Sequence, residues 1–107
     1  MIEIRRYQAE NKSEPITKWL SDLRDKRMRA HMEVRFSRLA AGNFGDCKSL
    51  RDGVFELRID KGPGYRVYYG MIGKTIVLLL CGGDKGNQDT DIQRAVDYLK
   101  DFKRRSA

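Results

Sequence analysis

Apolar positions along this chain switch between two periods, and the switches mark out its elements. Ile2 and Ile4 alternate with Glu3 and Arg5, which predicts a short strand from Ile2 to Tyr7. Ser13 then offers a helix N-cap, with Pro15 tolerated in the first turn. Ile16, Trp19, Leu20 and Leu23 follow at i, i+3, i+4 and i+7, a one-sided stripe. Asp25 can cap a second helix with Met28, Met32, Phe36 and Leu39 on one face, stopped by Gly42-Asn43. A two-residue junction between these helices reads as an antiparallel helical hairpin.

From Val54 the period becomes two. Phe55, Leu57 and Ile59 alternate with Glu56 and Arg58. The turn Lys61-Gly62-Pro63-Gly64 leads to a second strand, in which Val67, Tyr69 and Met71 alternate with Arg66, Tyr68 and Gly70. Gly73-Lys74 makes a tight hairpin into Thr75–Cys81, a run apolar on both faces and therefore central and covered on both sides at least in part. Thr90-Asp91-Ile92-Gln93 fits a capping box. Behind it Ile92, Ala95, Val96, Leu99 and Phe102 form the stripe of a last helix, whose dipole suits Lys103, Arg104 and Arg105 at its end. The expected order is β-α-α-β-β-β-α, an α+β fold with a small antiparallel sheet packed by helices, in a single domain over residues 1–107.

Strand parity has a chemical consequence. If Phe55, Leu57 and Ile59 face the helices, Glu56 and Arg58 face the other way, and Arg66 and Tyr68 join them from the neighbouring strand about 4.8 Å away. Arg51 lies in the loop leading into this face, and Lys85 closes its rim beyond the central strand. Arginine presents a planar fork that matches a phosphate, and a tyrosine ring beside it can stack on an unpaired base. Arg51, Tyr68 and Lys48 are accordingly the candidate RNA-binding residues. Any half-solvated strand also shows charges alternating with a core face, so an ordinary solvated surface stands beside this reading.

Charge widens the picture without choosing a partner. Lys and Arg number 22 against 15 Asp and Glu, a net +7 that attracts nucleic acid, acidic proteins or anionic surfaces. The excess is shared by both halves of the chain, so a polyanion is expected to meet the folded body and no basic tail. The longest apolar run falls far short of the ~20 residues of a membrane span. The start of the chain lacks the apolar stretch of a signal peptide, which predicts a cytoplasmic protein with Cys47 and Cys81 reduced. His31 is the only histidine, and no acidic spacing suggests a metal site, so neither metal nor cofactor is expected. Gly82-Gly83-Asp84-Lys85-Gly86 is glycine-rich but is not a phosphate-binding P-loop.

The stretch Ser49-Leu50-Arg51-Asp52-Gly53-Val54-Phe55-Glu56-Leu57-Arg58-Ile59, followed by Gly62-Pro63-Gly64-Tyr65-Arg66-Val67-Tyr68-Tyr69, resembles the two-strand core of RelE/HigB-like toxins of bacterial type II toxin–antitoxin modules, the addiction module killer proteins. Cys81-Gly82-Gly83-Asp84-Lys85-Gly86-Asn87-Gln88-Asp89-Thr90-Asp91-Ile92 looks like the passage by which this branch enters its last helix. The resemblance covers essentially the whole chain. It implies the RelE fold and a ribosome-dependent mRNA endonuclease, metal-independent and neutralised by a cognate antitoxin, usually a HigA-like helix-turn-helix protein. It implies a phosphate-binding catalytic role for Arg66 in Gly64-Tyr65-Arg66, with Arg58 on the adjacent strand and Lys85 after the last strand as further basic residues. Relatives often carry a tyrosine or histidine shortly after that strand, and Gly86 to Ile92 has neither. Glu56 and Lys85 are therefore both candidate bases. ParE-like gyrase inhibitors share the topology, and a non-catalytic antitoxin-binding module is a third possibility.

Overall fold

The structure is a computed structural model and describes residues 1–59 and 64–107. In chain order it contains β1 (Glu3–Arg6), α1 (Pro15–Asp22), α2 (Lys26–Ala40), β2 (Cys47–Ser49), β3 (Val54–Ile59), β4 (Tyr65–Ile72), β5 (Ile76–Gly83), a short 3-10 turn (Lys85–Asn87) and α3 (Gln88–Ser106). The strands make one mixed sheet in the order β1-β5-β4-β3-β2. β2 to β5 form an antiparallel meander, and β1 lies parallel to β5. The expected α+β class holds, with one strand more than predicted.

That extra strand follows from local turn chemistry. Asp52 (φ 54°) and Gly53 (φ 82°) both sit at positive φ, and Val54 N donates to Arg51 O at 3.0 Å. An Asp-Gly pair of this kind closes a two-residue hairpin. It folds Cys47–Ser49 back onto Phe55–Leu57, so the segment before Val54 is an edge strand as well as a loop. Of the turn Lys61-Gly62-Pro63-Gly64, residues 61–63 lie outside the described residues; Gly64 (φ 77°) has the left-handed backbone expected of a turn glycine.

Two predicted helix starts are corrected. Asp25 caps α2 as expected, accepting from Arg27 N at 3.0 Å and Met28 N at 3.3 Å. Ser13 does not cap α1: its amide donates to Asn11 Oδ1, and the helix begins at Pro15, whose missing N–H is one that an N-terminus leaves unpaired anyway. Thr90 does not cap α3 either. Asp84 turns the chain first, accepting from Gly86 N at 2.9 Å, so the helix starts at Gln88 and Thr90 already lies within it.

The sheet is covered on both faces. On one side Ile16 and Leu20 of α1 and Met28, Met32, Phe36 and Leu39 of α2 pack with Leu57, Ile59, Val67, Tyr69, Val77 and Leu79. On the other, Ala95, Val96 and Leu99 of α3 pack with Val54, Tyr68, Leu78, Leu80 and Cys81. The parity expected for β3 and β4 is therefore correct, but the face opposite α1 and α2 is not open. A bulge in β5, where Tyr68 pairs with Cys81 and Tyr69 with Leu79, turns both Leu80 and Cys81 towards α3.

α1 and α3 reach the end of β5 this closely because of two glycines. A Cβ at Gly82 would lie 2.3 Å from the Trp19 ring, and one at Gly83 would lie 1.9 Å from Asp91 Oδ2. The two glycines that end β5 thus let α1 and α3 approach opposite faces of one strand end. Among the described residues no helix is long and apolar enough to cross a membrane.

Candidate functional site

Past the N-terminal end of α3, two rows of the sheet carry polar groups towards the same side, Lys48 with Glu56 and Arg58 with Arg66. Arg58 and Arg66 are direct cross-strand partners. Directly opposed side chains in an antiparallel pair have Cβ atoms about 4.5–5.5 Å apart, and like charges there repel. Each guanidinium leans to its own carboxylate. Arg58 donates to Asp46 Oδ1 through Nη2 at 2.8 Å, a half-exposed pair on the β2 side. Arg66 Nε lies 3.2 Å from Glu56 Oε1, and this pair is nearly buried, with side chains 14% and 8% exposed.

A residue that sequence reasoning did not select completes the setting. With its amide oxygen turned to the guanidinium, Gln88 accepts from Arg66 Nε at 3.0 Å and Nη2 at 3.1 Å. Gln88 is the first residue of α3, so the helix itself positions Arg66. Only the true start of α3 reveals this, and the false capping box concealed it. Asp46 was missed for a related reason, since it precedes a strand too short to show a period.

The remaining predicted residues distribute as follows. Lys48, exposed on β2, is the direct partner of Glu56. Arg51 donates to Gln93 Oε1 of α3 at 2.7 Å and to Asp52 Oδ2 at 3.0 Å. Lys85 is exposed and packs its stem by Gly64, where a Cβ would lie 3.8 Å from Lys85 Cδ. Glu56 is on the expected face but buried. Tyr68 is the correction: its side chain is fully buried under α3, so neither ring face is offered to a base. Burial first, then the charges of Glu56 and Asp91, push its phenol far above the ordinary range, with Arg66 opposing.

The cysteines stay apart as free thiols. Cys81 is pushed up to about 12, mainly by burial and then by Asp91, which leaves it unreactive. Lys48, Arg58 and Arg66 thus face two carboxylates, Asp46 and Glu56, on one side of the sheet, with Arg51 and Lys85 at its rim. An oxyanion brought to this rim meets two guanidiniums from adjacent strands, each turned to its own carboxylate. Their present partners are carboxylates, the same geometry an oxyanion would replace.

Comparison with known proteins places the chain as follows. The family model for phage-derived, Gp49-like proteins matches residues 18–100, a span that contains every residue of this site. A Haemophilus influenzae (strain Rd) protein described as uncharacterized is 56% identical over 77 residues, which make up 72% of this chain and 78% of that relative.

Proposed function

Because the chain belongs to the phage-derived Gp49-like family, we propose that it is the toxin of a type II toxin–antitoxin module, of the RelE/HigB-like kind, and that it cuts mRNA. The observation that carries this reading is the direct pairing of Arg58 with Arg66 across β3 and β4. RNA brings its own nucleophile, the 2′-hydroxyl, so the protein has to align it, take one proton and stabilise charge on the phosphorane. Arg66 and Arg58 grip the scissile phosphate. Arg66 must turn from Glu56 to do so, and a carboxylate that loses its cation becomes a better base. Glu56 then takes the 2′-hydroxyl proton as the O2′–P bond forms. The P–O5′ bond breaks, and the 5′-oxygen takes a proton from Lys85 or from solvent. Such acid–base help is worth about 10²–10⁴-fold. No step of this sequence calls for a metal or cofactor.

Lys48 and Arg51 extend the grip to neighbouring phosphates, a role that buried Tyr68 does not share. The ribosome presents the mRNA in the cytoplasm, and a cognate HigA-like helix-turn-helix antitoxin silences the toxin. The test is controlled expression in a bacterium with mapping of mRNA 5′ ends, wild type against Arg66→Ala. Wild type should arrest translation with new 5′ ends, and Arg66→Ala should fold and bind antitoxin but lose toxicity. Full toxicity of Arg66→Ala removes the mechanism. DNA-damage signalling with intact RNA would point instead to a ParE-like gyrase inhibitor, and no growth inhibition at all to an inert antitoxin-binding module.

A further inference from the structure

Behind the paired arginines lies a group of buried polar side chains that phosphate binding alone does not require. Among the described residues Glu56 and Asp91 are the two buried charged side chains. Tyr68 stands beside them, fully buried, and its hydroxyl makes no hydrogen bond to any described protein group. Glu56, Tyr68 and Cys81 form one row across β3, β4 and β5, with Lys48 next to Glu56 on β2. One row further, Arg66 pairs with Gly83, over which the Asp91 carboxylate is laid from α3. Asp91 is held in turn by Arg94, 3.6 Å away. The phenol is therefore within electrostatic reach of Glu56, Asp91 and Arg66, with Cys81 beside it on β5.

A buried hydroxyl without a partner is destabilising, so a purely structural site would favour phenylalanine, which has the same shape. An O–H next to a carboxylate has one strong use, which is to donate to it. We propose that Tyr68 is a positioning residue whose hydroxyl, directly or through one water, holds Glu56 ionised when Arg66 turns from it to an incoming phosphate. This deepens the nuclease reading and rests on it for its purpose. It also explains why Glu56 tolerates burial: one donor is a cation that substrate draws away, and the other is a phenol that stays. Asp91 is the rival acceptor, but its cation, Arg94, is not the one that an incoming phosphate draws away.

The experiment is a site-resolved carbon-13 NMR titration of the Glu56 and Asp91 carboxyls in the full chain, wild type against Tyr68→Phe. The substitution keeps the ring that fills the core. Loss of a donor to the charged form raises an acid's pKa, so the Glu56 midpoint should move up by about one pH unit in Tyr68→Phe, with Asp91 moving less. The acid limb of the pH–rate profile for ribosome-supported mRNA cleavage should shift in the same direction. Activity lost in Tyr68→Phe near neutrality should then return at higher pH. An unmoved Glu56 midpoint, or a shift confined to Asp91, overturns the proposal. If the Glu56 midpoint shifts while wild type leaves mRNA intact, the coupling stands and the nuclease reading fails.

Discussion

Gly82 and Asp91 show how single residues set the geometry around the paired arginines. A methyl group at Gly82 would enter the Trp19 ring, a rigid and partly buried neighbour. Overpacking of this kind costs about 1–3 kcal/mol. Gly82→Ala should therefore lower stability by that amount in chemical denaturation; an unchanged midpoint would mean that α1 yields freely. Asp91 acts through charge. Desolvation raises its pKa above its ordinary value; Arg94 opposes that shift and Asp84 adds to it. Because the folded state holds this proton more tightly than the unfolded chain, the native state is penalised once the pH rises past the shifted value. Below the ordinary carboxylate range the penalty is absent. Asp91→Asn should accordingly raise the melting temperature at neutral pH and lose that advantage in acid. A gain that is equal at both pH values would mean that charge is not its cause.

At the scale of elements, the sequence shows periods but not covers. The parity of β3 and β4 was legible because Phe55, Leu57 and Ile59 against Glu56 and Arg58 can be read in only one phase. It correctly placed Arg58 and Arg66 on one face. It could not reveal that α3 lies over the same face and takes Tyr68 into its core, because that depends on where a helix distant in sequence from β3 comes to rest. β2 had a readable signal in Asp52-Gly53, but three residues are too few to show a period. The start of α3 went the other way. A capping-box pattern at Thr90 was present, yet Asp84 had already turned the chain, and Gln88 gained its position against Arg66 as a result. Local patterns therefore recovered the strands of the site and left out the two partners, Asp46 and Gln88, that hold its arginines.

Over the whole molecule, charge is the feature most open to a partner. Among the described residues, Met1 and Val34 are the large hydrophobic side chains left exposed, so no broad apolar patch awaits a partner, while the net charge is +7. A partner that reads a phosphate backbone releases counterions as it binds, and each phosphate on a single strand contributes about 0.7 to the slope of log affinity against log salt. Arg58, half exposed at the rim, is placed to make one such contact, whereas Lys74 lies in the turn at the far end of β4, about 20 Å along the strand. The two substitutions remove the same charge from different places. Arg58→Ala should weaken binding of single-stranded RNA and reduce the salt slope by about 0.7, while Lys74→Ala should leave the slope close to that of wild type. Equal effects of the two, measured by fluorescence anisotropy across a salt series, would mean that RNA responds to the overall field and that the paired arginines are not its site.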